Sequence, residues 1–188
     1  MKILIAFFFH PTLENRVVCA QSVGGTGPLR VAAEVLRNQL GYTRALWSDP
    51  TWMNHRDIFL RAGYTHVEPY PCHRDDHENL LFDKMIRCLV FPHLKTGLYS
   101  MPLIRMQFKV EFNFVYLRFL NEWEGADETV LILHASAHNP TGIDMTKDQW
   151  RQLKKVCVQR GYLPFFDCAY QVSVSTHFWI VLQNLRNL

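Results

Sequence analysis

The sequence predicts an α/β fold with a mostly parallel sheet and flanking helices. Three observations predict it: short β-branched and leucine-rich runs alternate with helical segments, glycines stop the helices, and proline or a capping box opens them. At 188 residues, 48% apolar and 13% aromatic, the chain can bury a core, which excludes intrinsic disorder. In chain order, the apolar run at 3–9 comes first and is closed by His10 and Pro11. It falls far short of the ~20 residues that cross a membrane, and no small-residue cleavage site follows it. Pro28 sits at a first helical position, with Leu29, Ala32 and Leu36 on one face and Gly41 as the stop. Residues 42–47 then read as a strand, 54–62 as a helix closed by Gly63, and 64–68 as a second strand, giving two βα units.

The block 91–123 interrupts this alternation. Within it, residues 106–114 alternate apolar and polar in the manner of an amphipathic strand whose apolar face needs cover. Residues 130–133 have the composition of a strand buried on both faces. Thr146 and Gln149 form a capping box, Trp150, Leu153 and Cys157 share a helical face behind it, and Gly161 ends the helix. Residues 163–166 form the last strand, which delivers Asp167 at its carboxyl end.

The net charge is +3 and only 20% of residues are charged, so no basic field is available for nucleic acid, and no membrane partner is expected. Cys19, Cys72, Cys88, Cys157 and Cys168 are odd in number and contain no CxxC pair, unlike a disulfide scaffold or zinc site. A reducing compartment fits them. No repeat or linker divides the chain, so one folding unit is expected.

In parallel α/β sheets, sites lie beyond the carboxyl ends of the strands. Three groups fall there. Gly24-Gly25-Thr26-Gly27 opens the Pro28 helix, where free N–H groups and the helix dipole favour an anion; a tight loop is the plainer reading, and the lysine of a P-loop is absent. Asp167 is suited to stabilise a protonated ring nitrogen or, more plainly, to cap a helix. Asn139, in the turn His138-Asn139-Pro140-Thr141-Gly142, is biased to an extended backbone by the following proline, and its amide can donate and accept on a ligand. His73 and His77 have the i, i+4 spacing of metal ligands but no evident third ligand, so no metal site is expected. No GxSxG nucleophile motif occurs.

Three blocks carry a resemblance: ENRVVCAQSVGGTGPLRVAAEVL (14–36), SDPTWMNH (48–55) and LILHASAHNPTGIDMTKDQWRQLKKVCVQRGYLPFFDCAYQ (131–171). In order and content they resemble aspartate aminotransferases of the class I pyridoxal phosphate-dependent aminotransferase family. The resemblance implies a partial large domain of fold type I over residues 14–171, with an unmatched insertion at about 91–123 and unmatched flanks at 1–13 and 172–188. It implies pyridoxal 5'-phosphate as cofactor, with Gly24, Gly25 and Thr26 on the phosphate and Trp52 stacked on the ring. Asp167 would pair with the ring nitrogen, and Asn139 and Tyr170 would bond the phenolic oxygen. Asn139 and Trp52 would also meet the substrate, while His55, with His138 and His134, would orient Asp167 from behind.

The implied reaction moves an amino group between aspartate and 2-oxoglutarate. The implied assembly is a homodimer, cytoplasmic or alternatively mitochondrial. In the family a lysine holds the cofactor as a Schiff base and shuttles the proton. No lysine follows Lys155 here, and Lys147, Lys154 and Lys155 read as the solvated side of a helix. No catalytic residue is therefore assigned, and the chain alone is expected to be inactive. The alternatives are a noncatalytic fragment that binds the cofactor, phosphate or another protein, and an unrelated nucleotide-binding α/β domain. The absence of a second glycine fingerprint and of an acidic ribose partner weighs against the last.

Overall fold

The computed structural model describes residues 4–8, 17–72, 81–90 and 128–170. Its elements are β1 (Leu4–Phe8), β2 (Val17–Gln21), α1 (Thr26–Asn38), β3 (Arg44–Asp49), α2 (Asn54–Arg61), β4 (His66–Pro71), α3 (Phe82–Val90), β5 (Thr129–His134), α4 (Lys147–Arg160) and β6 (Leu163–Asp167). β1 and β2 pair antiparallel by themselves. The other four strands form one sheet in the order β4-β3-β5-β6, and every neighbouring pair in it is parallel. The amphipathic segment 106–114 and the pair His73 and His77 lie outside the described residues.

α1 begins at Thr26, and its interior follows the predicted spacing, with Leu29, Ala32, Ala33 and Leu36 buried. α4 carries the expected capping box. The Thr146 hydroxyl accepts from the Gln149 N–H and the Gln149 side chain accepts from the Thr146 N–H, while Gly161 closes the helix at φ +64°. β3 and β4 both end later than their composition suggests, at Asp49 and Pro71. The strand expected at 64–68 runs on through Pro69 to Pro71, because β4 is an edge of the sheet among the described strands and a residue without an N–H is tolerated there. Pro164 occupies the opposite edge strand, β6, for the same reason.

Side-chain alternation along the strands divides the core in two. Ala45 of β3, Val130 and Ile132 of β5 and Phe165 of β6 pack against α1 and α2 through Leu29, Ala32, Leu36, Ile58 and Phe59. Leu46, Leu131, Leu133 and Phe166 face the other way, onto Met85 and Leu89 of α3 and Trp150 and Leu153 of α4. Tyr162 ties this second layer together by donating from its hydroxyl to the Leu89 carbonyl at 2.8 Å. Every residue of β5 is buried, as expected of a strand covered on both faces. No helix among the described residues is long and apolar enough to cross a membrane.

This frame sets the site through two consequences of the topology. α1 and α4 each reach the following parallel strand by a short turn, so they run against the strands and place their N-termini at the carboxyl edge; α2 leaves β3 at that same edge. His134 continues the Val130 and Ile132 face of β5, and Asp167 continues the Phe165 face of β6. Both therefore point to the layer that holds α2.

Candidate functional site

At the carboxyl edge of the sheet, Asp167 is the last residue of β6, and its carbonyl accepts from the Ala135 N–H at 2.9 Å. Its carboxylate Oδ2 lies 2.8 Å from His55 Nε2, across 112 residues of chain. His55 is fully buried in the first turn of α2, and its other nitrogen, Nδ1, is 2.9 Å from Thr51 Oγ1. With the Thr51 hydroxyl donating to Nδ1, Nε2–H donates to the carboxylate, which fixes ring and carboxylate together. Burial pushes the Asp167 carboxyl upward. The hydrogen bond from His55, followed by the electrostatic influence of His55 and His134 as the carboxyl titrates in acid and a backbone bond at Ala169, outweighs burial and holds it below its ordinary value. Asp167 is therefore an anion at neutral pH, with a side chain still 13% exposed.

The three histidines form a stack of rings with different duties. His134 lies 5.0 Å from the His55 ring and 4.4 Å from the His138 ring, both edge-on. Neither nitrogen of His134 has a hydrogen-bond partner among the described residues. Burial, followed by the nearby His138 and His55, pushes its pKa down to about 3. His138 bonds Ser48 Oγ through Nε2 at 2.9 Å and Thr141 Oγ1 through Nδ1 at 2.7 Å. Burial is also the main cause that pushes His138 down to about 4.

Of the three histidines expected behind Asp167, His55 bonds its carboxylate, His134 lies edge-on beside His55, and His138 bonds Ser48 and Thr141. With both nitrogens so engaged, His138 clamps the 138–142 turn to β3. Asn139, half-buried, rides on that clamped turn between His138 and Thr141. Sequence reasoning passed over Thr51 and Ser48. Thr51 had a usable signal, since it precedes His55 by four residues.

The remaining residues are arranged less tightly. Trp52 is half-buried at the start of α2, with its ring centroid 5.4 Å from that of His55 at an interplanar angle of 84°. Gly24, Gly25 and Thr26 are exposed, and Gly24 has φ +61° with open space where a Cβ would stand. Gly25 is the N-cap of α1, no side chain caps that end and no acidic residue occupies its first turn, so its N–H groups face outward. Tyr170 is 42% exposed, three residues beyond the end of β6. Cys168, next to Asp167, is pushed up to about 12 by burial and then by Asp167 itself, so its thiol is a poor nucleophile.

Acid should destabilise this arrangement. A histidine held near 3 in the fold but free to titrate at 6.5 when unfolded lets the unfolded chain bind protons first. Stability is full above pH 6.5 and falls as the pH drops toward 3. For His134 the loss at pH 5 is on the order of 2 kcal/mol, and His138 adds to it in the same direction. Thermal melts followed by circular dichroism should show the midpoint falling from pH 7 to pH 5, with a flatter slope in His134→Asn. A midpoint unchanged over that range would contradict the assignment of neutral, buried imidazoles.

The fold also occurs in known proteins. Residues 2–187 match the family model described as Aminotransferase class I and II. The chain belongs to that family. As a class I and II aminotransferase chain, it is 36% identical over 158 residues to a cytoplasmic aspartate aminotransferase of Oryza sativa subsp. japonica, covering 84% of this chain and 30% of that enzyme. It is 32% identical over 169 residues to a mitochondrial aspartate aminotransferase of Schizosaccharomyces pombe, covering 90% of this chain and 31% of that enzyme. Among solved structures, an aromatic-amino-acid aminotransferase from Burkholderia pseudomallei, covalently bound to pyridoxal phosphate, superposes with a TM-score of 0.60 at 32% identity, covering 89% of this chain and 33% of that one. The aminotransferase chain thus spans about a third of the length of the curated relatives it matches. Both compartments expected from the sequence occur among these relatives.

Proposed function

We propose that this chain supplies a pyridoxal phosphate-binding part of an aspartate aminotransferase, which moves an amino group between aspartate and 2-oxoglutarate. The observation that carries the reading is the Asp167–His55 pair: a carboxylate kept anionic, held rigidly from behind and partly open at the carboxyl edge of the sheet. The residues present fit the cofactor. A single anion at one place suits a protonated ring nitrogen, and the uncapped, open glycine start of α1 at the same edge suits a phosphate. When bound, pyridoxal phosphate supplies an electron-poor ring that draws the electron pair from a substrate carbon.

The chain's own residues hold and tune that ring. Asp167 would accept a hydrogen bond from the ring N–H and keep the proton there; His55 occupies one carboxylate oxygen, Oδ2, and leaves the other for the ring. Thr51 keeps the His55 proton on Nε2. The low pKa values of His134 and His138 keep both rings neutral, so neither places a competing positive charge beside Asp167. Gly24, Gly25 and Thr26 would take the phosphate through backbone N–H groups, Trp52 would cover one face of the ring, and Asn139 and Tyr170 would bond its phenolic oxygen. Asn139 and Trp52 would also meet the substrate, with Asn139 held in place by the His138 clamp.

No lysine follows Lys155 within the 188 residues, so the chain by itself should hold the cofactor without a covalent bond and without turnover. Pyridoxal phosphate titrated into the purified chain should give a saturable absorbance change. After borohydride treatment, the protein mass should be unchanged and the reduced cofactor should wash away. No saturable binding would overturn the cofactor reading. A mass increase on a lysine, or sustained transamination by the chain alone, would overturn the prediction of inactivity and leave the cofactor reading intact.

A further inference from the structure

The donor atoms of His55, His134 and Asp167 all lie within 4.8 Å of one another. We infer that these three residues bind a zinc-class divalent cation when the chain carries no cofactor. Two imidazoles and one carboxylate, with a fourth position left to water, make a ligand set that zinc accepts. The second observation is His134 itself: it is 9% exposed, lies edge-on to His55, and has both ring nitrogens buried without a partner among the described residues. A buried orphan nitrogen is costly, and a ligand that used it would remove that cost.

The other two ligands can adapt without breaking their support. Metal bonds of about 2.0–2.1 Å place tetrahedral donors roughly 3.3 Å apart, so the widest gap closes by about an ångström and a half. His55 must yield the proton on Nε2. A neutral imidazole does so by moving it to Nδ1, where Thr51 Oγ1 at 2.9 Å turns from donor to acceptor. The proton stays on the ring and no hydrogen bond to Thr51 is lost. Asp167, the half-buried member of the three, is the side from which a cation enters. A cation on Asp167 also occupies the carboxylate that would face a ring nitrogen, so metal and cofactor exclude each other.

The test is calorimetric titration of zinc into the cofactor-free 188-residue chain. One equivalent should bind. His134→Asn and His55→Gln should each weaken binding at least tenfold, and His73→Ala/His77→Ala should leave it unchanged. Binding that survives both of the first variants, or disappears in the last, overturns the site.

Should the buried-histidine variants fail to fold, nitrogen-15 spectra of the wild-type histidine rings decide the matter. Zinc should shift His55 and His134 and convert His55 from the Nε2–H to the Nδ1–H tautomer, and unchanged spectra overturn the inference. The site stands on side chains of this fold, independent of the cofactor reading. Zinc binding without any pyridoxal phosphate binding would remove only the cofactor reading, and the reverse would remove only the metal site. If both bind, zinc should raise the cofactor concentration needed for half-saturation.

Discussion

Asp167→Ala should weaken pyridoxal phosphate binding by roughly 3 kcal/mol, a factor of about 150, whereas Lys155→Ala should leave it unchanged. The large figure follows from what the carboxylate offers: a charged acceptor, mostly withdrawn from water, oriented by a 2.8 Å bond to a buried imidazole. Without it, a protonated ring nitrogen would meet the His55 Nε2–H, a donor facing a donor. The carboxylate's charge and its shape can be separated. Asp167→Asn keeps an oxygen for His55 but offers the ring no anion, so most of the loss should persist in it. Absorbance titrations of the three variants, with thermal melts to confirm folding, check the expectation. Equal affinities for Asp167→Ala and Lys155→Ala would refute the site map. Lys155 is the apt control because it is exposed on α4, whose buried face lies in the opposite layer.

Phe59→Ala should cost about 3–5 kcal/mol of folding stability, against a net stability for most domains of about 5–15 kcal/mol. Phe59 is fully buried in the layer between the sheet and α1. Its ring meets Tyr64 at a centroid distance of 4.8 Å and Phe165 at 5.4 Å, both edge-on. α2 has only eight residues, too few to stay helical alone, so this contact and its neighbour Ile58 hold it on the sheet. His55 lies four residues earlier on the same face, so loosening Phe59 should also loosen the His55–Asp167 pair and lower cofactor affinity. Leu60→Ala, at a 38% exposed position of α2, should change stability by about 0.5 kcal/mol or less. Urea unfolding midpoints measure both. A loss below about 1 kcal/mol for Phe59→Ala would mean that the layer is not packed as described.

The elements whose signals are local were legible. The spacing of Leu29, Ala32 and Leu36, the Thr146–Gln149 box and the Gly161 stop each follow from contacts within a few residues, and α1 and α4 form where they predict. α3 was not read, although Phe82, Met85 and Leu89 have helical spacing and are buried together. The ends of β3 and β4 were misjudged because a neighbour decides how far a strand extends. Pro69 and Pro71 remain in a strand only because β4 has a partner on one side.

Of the candidate site, the sequence by itself determined the chemical types at the carboxyl edge of a parallel sheet: an aspartate ending a strand, an asparagine turn, and a glycine-rich helix start. Only the tertiary structure decided which histidine does what. Asp167 and His55 are 112 residues apart, and they meet because β6 lies in register beside β5 while α2 packs on the face that both strands present. Strand order and register are collective properties of the packed core, whereas turns, caps and helical faces are properties of short stretches of chain. For that reason a short stretch discloses a histidine but not whether it holds Asp167, clamps a turn as His138 does, or stays unpartnered as His134 does among the described residues.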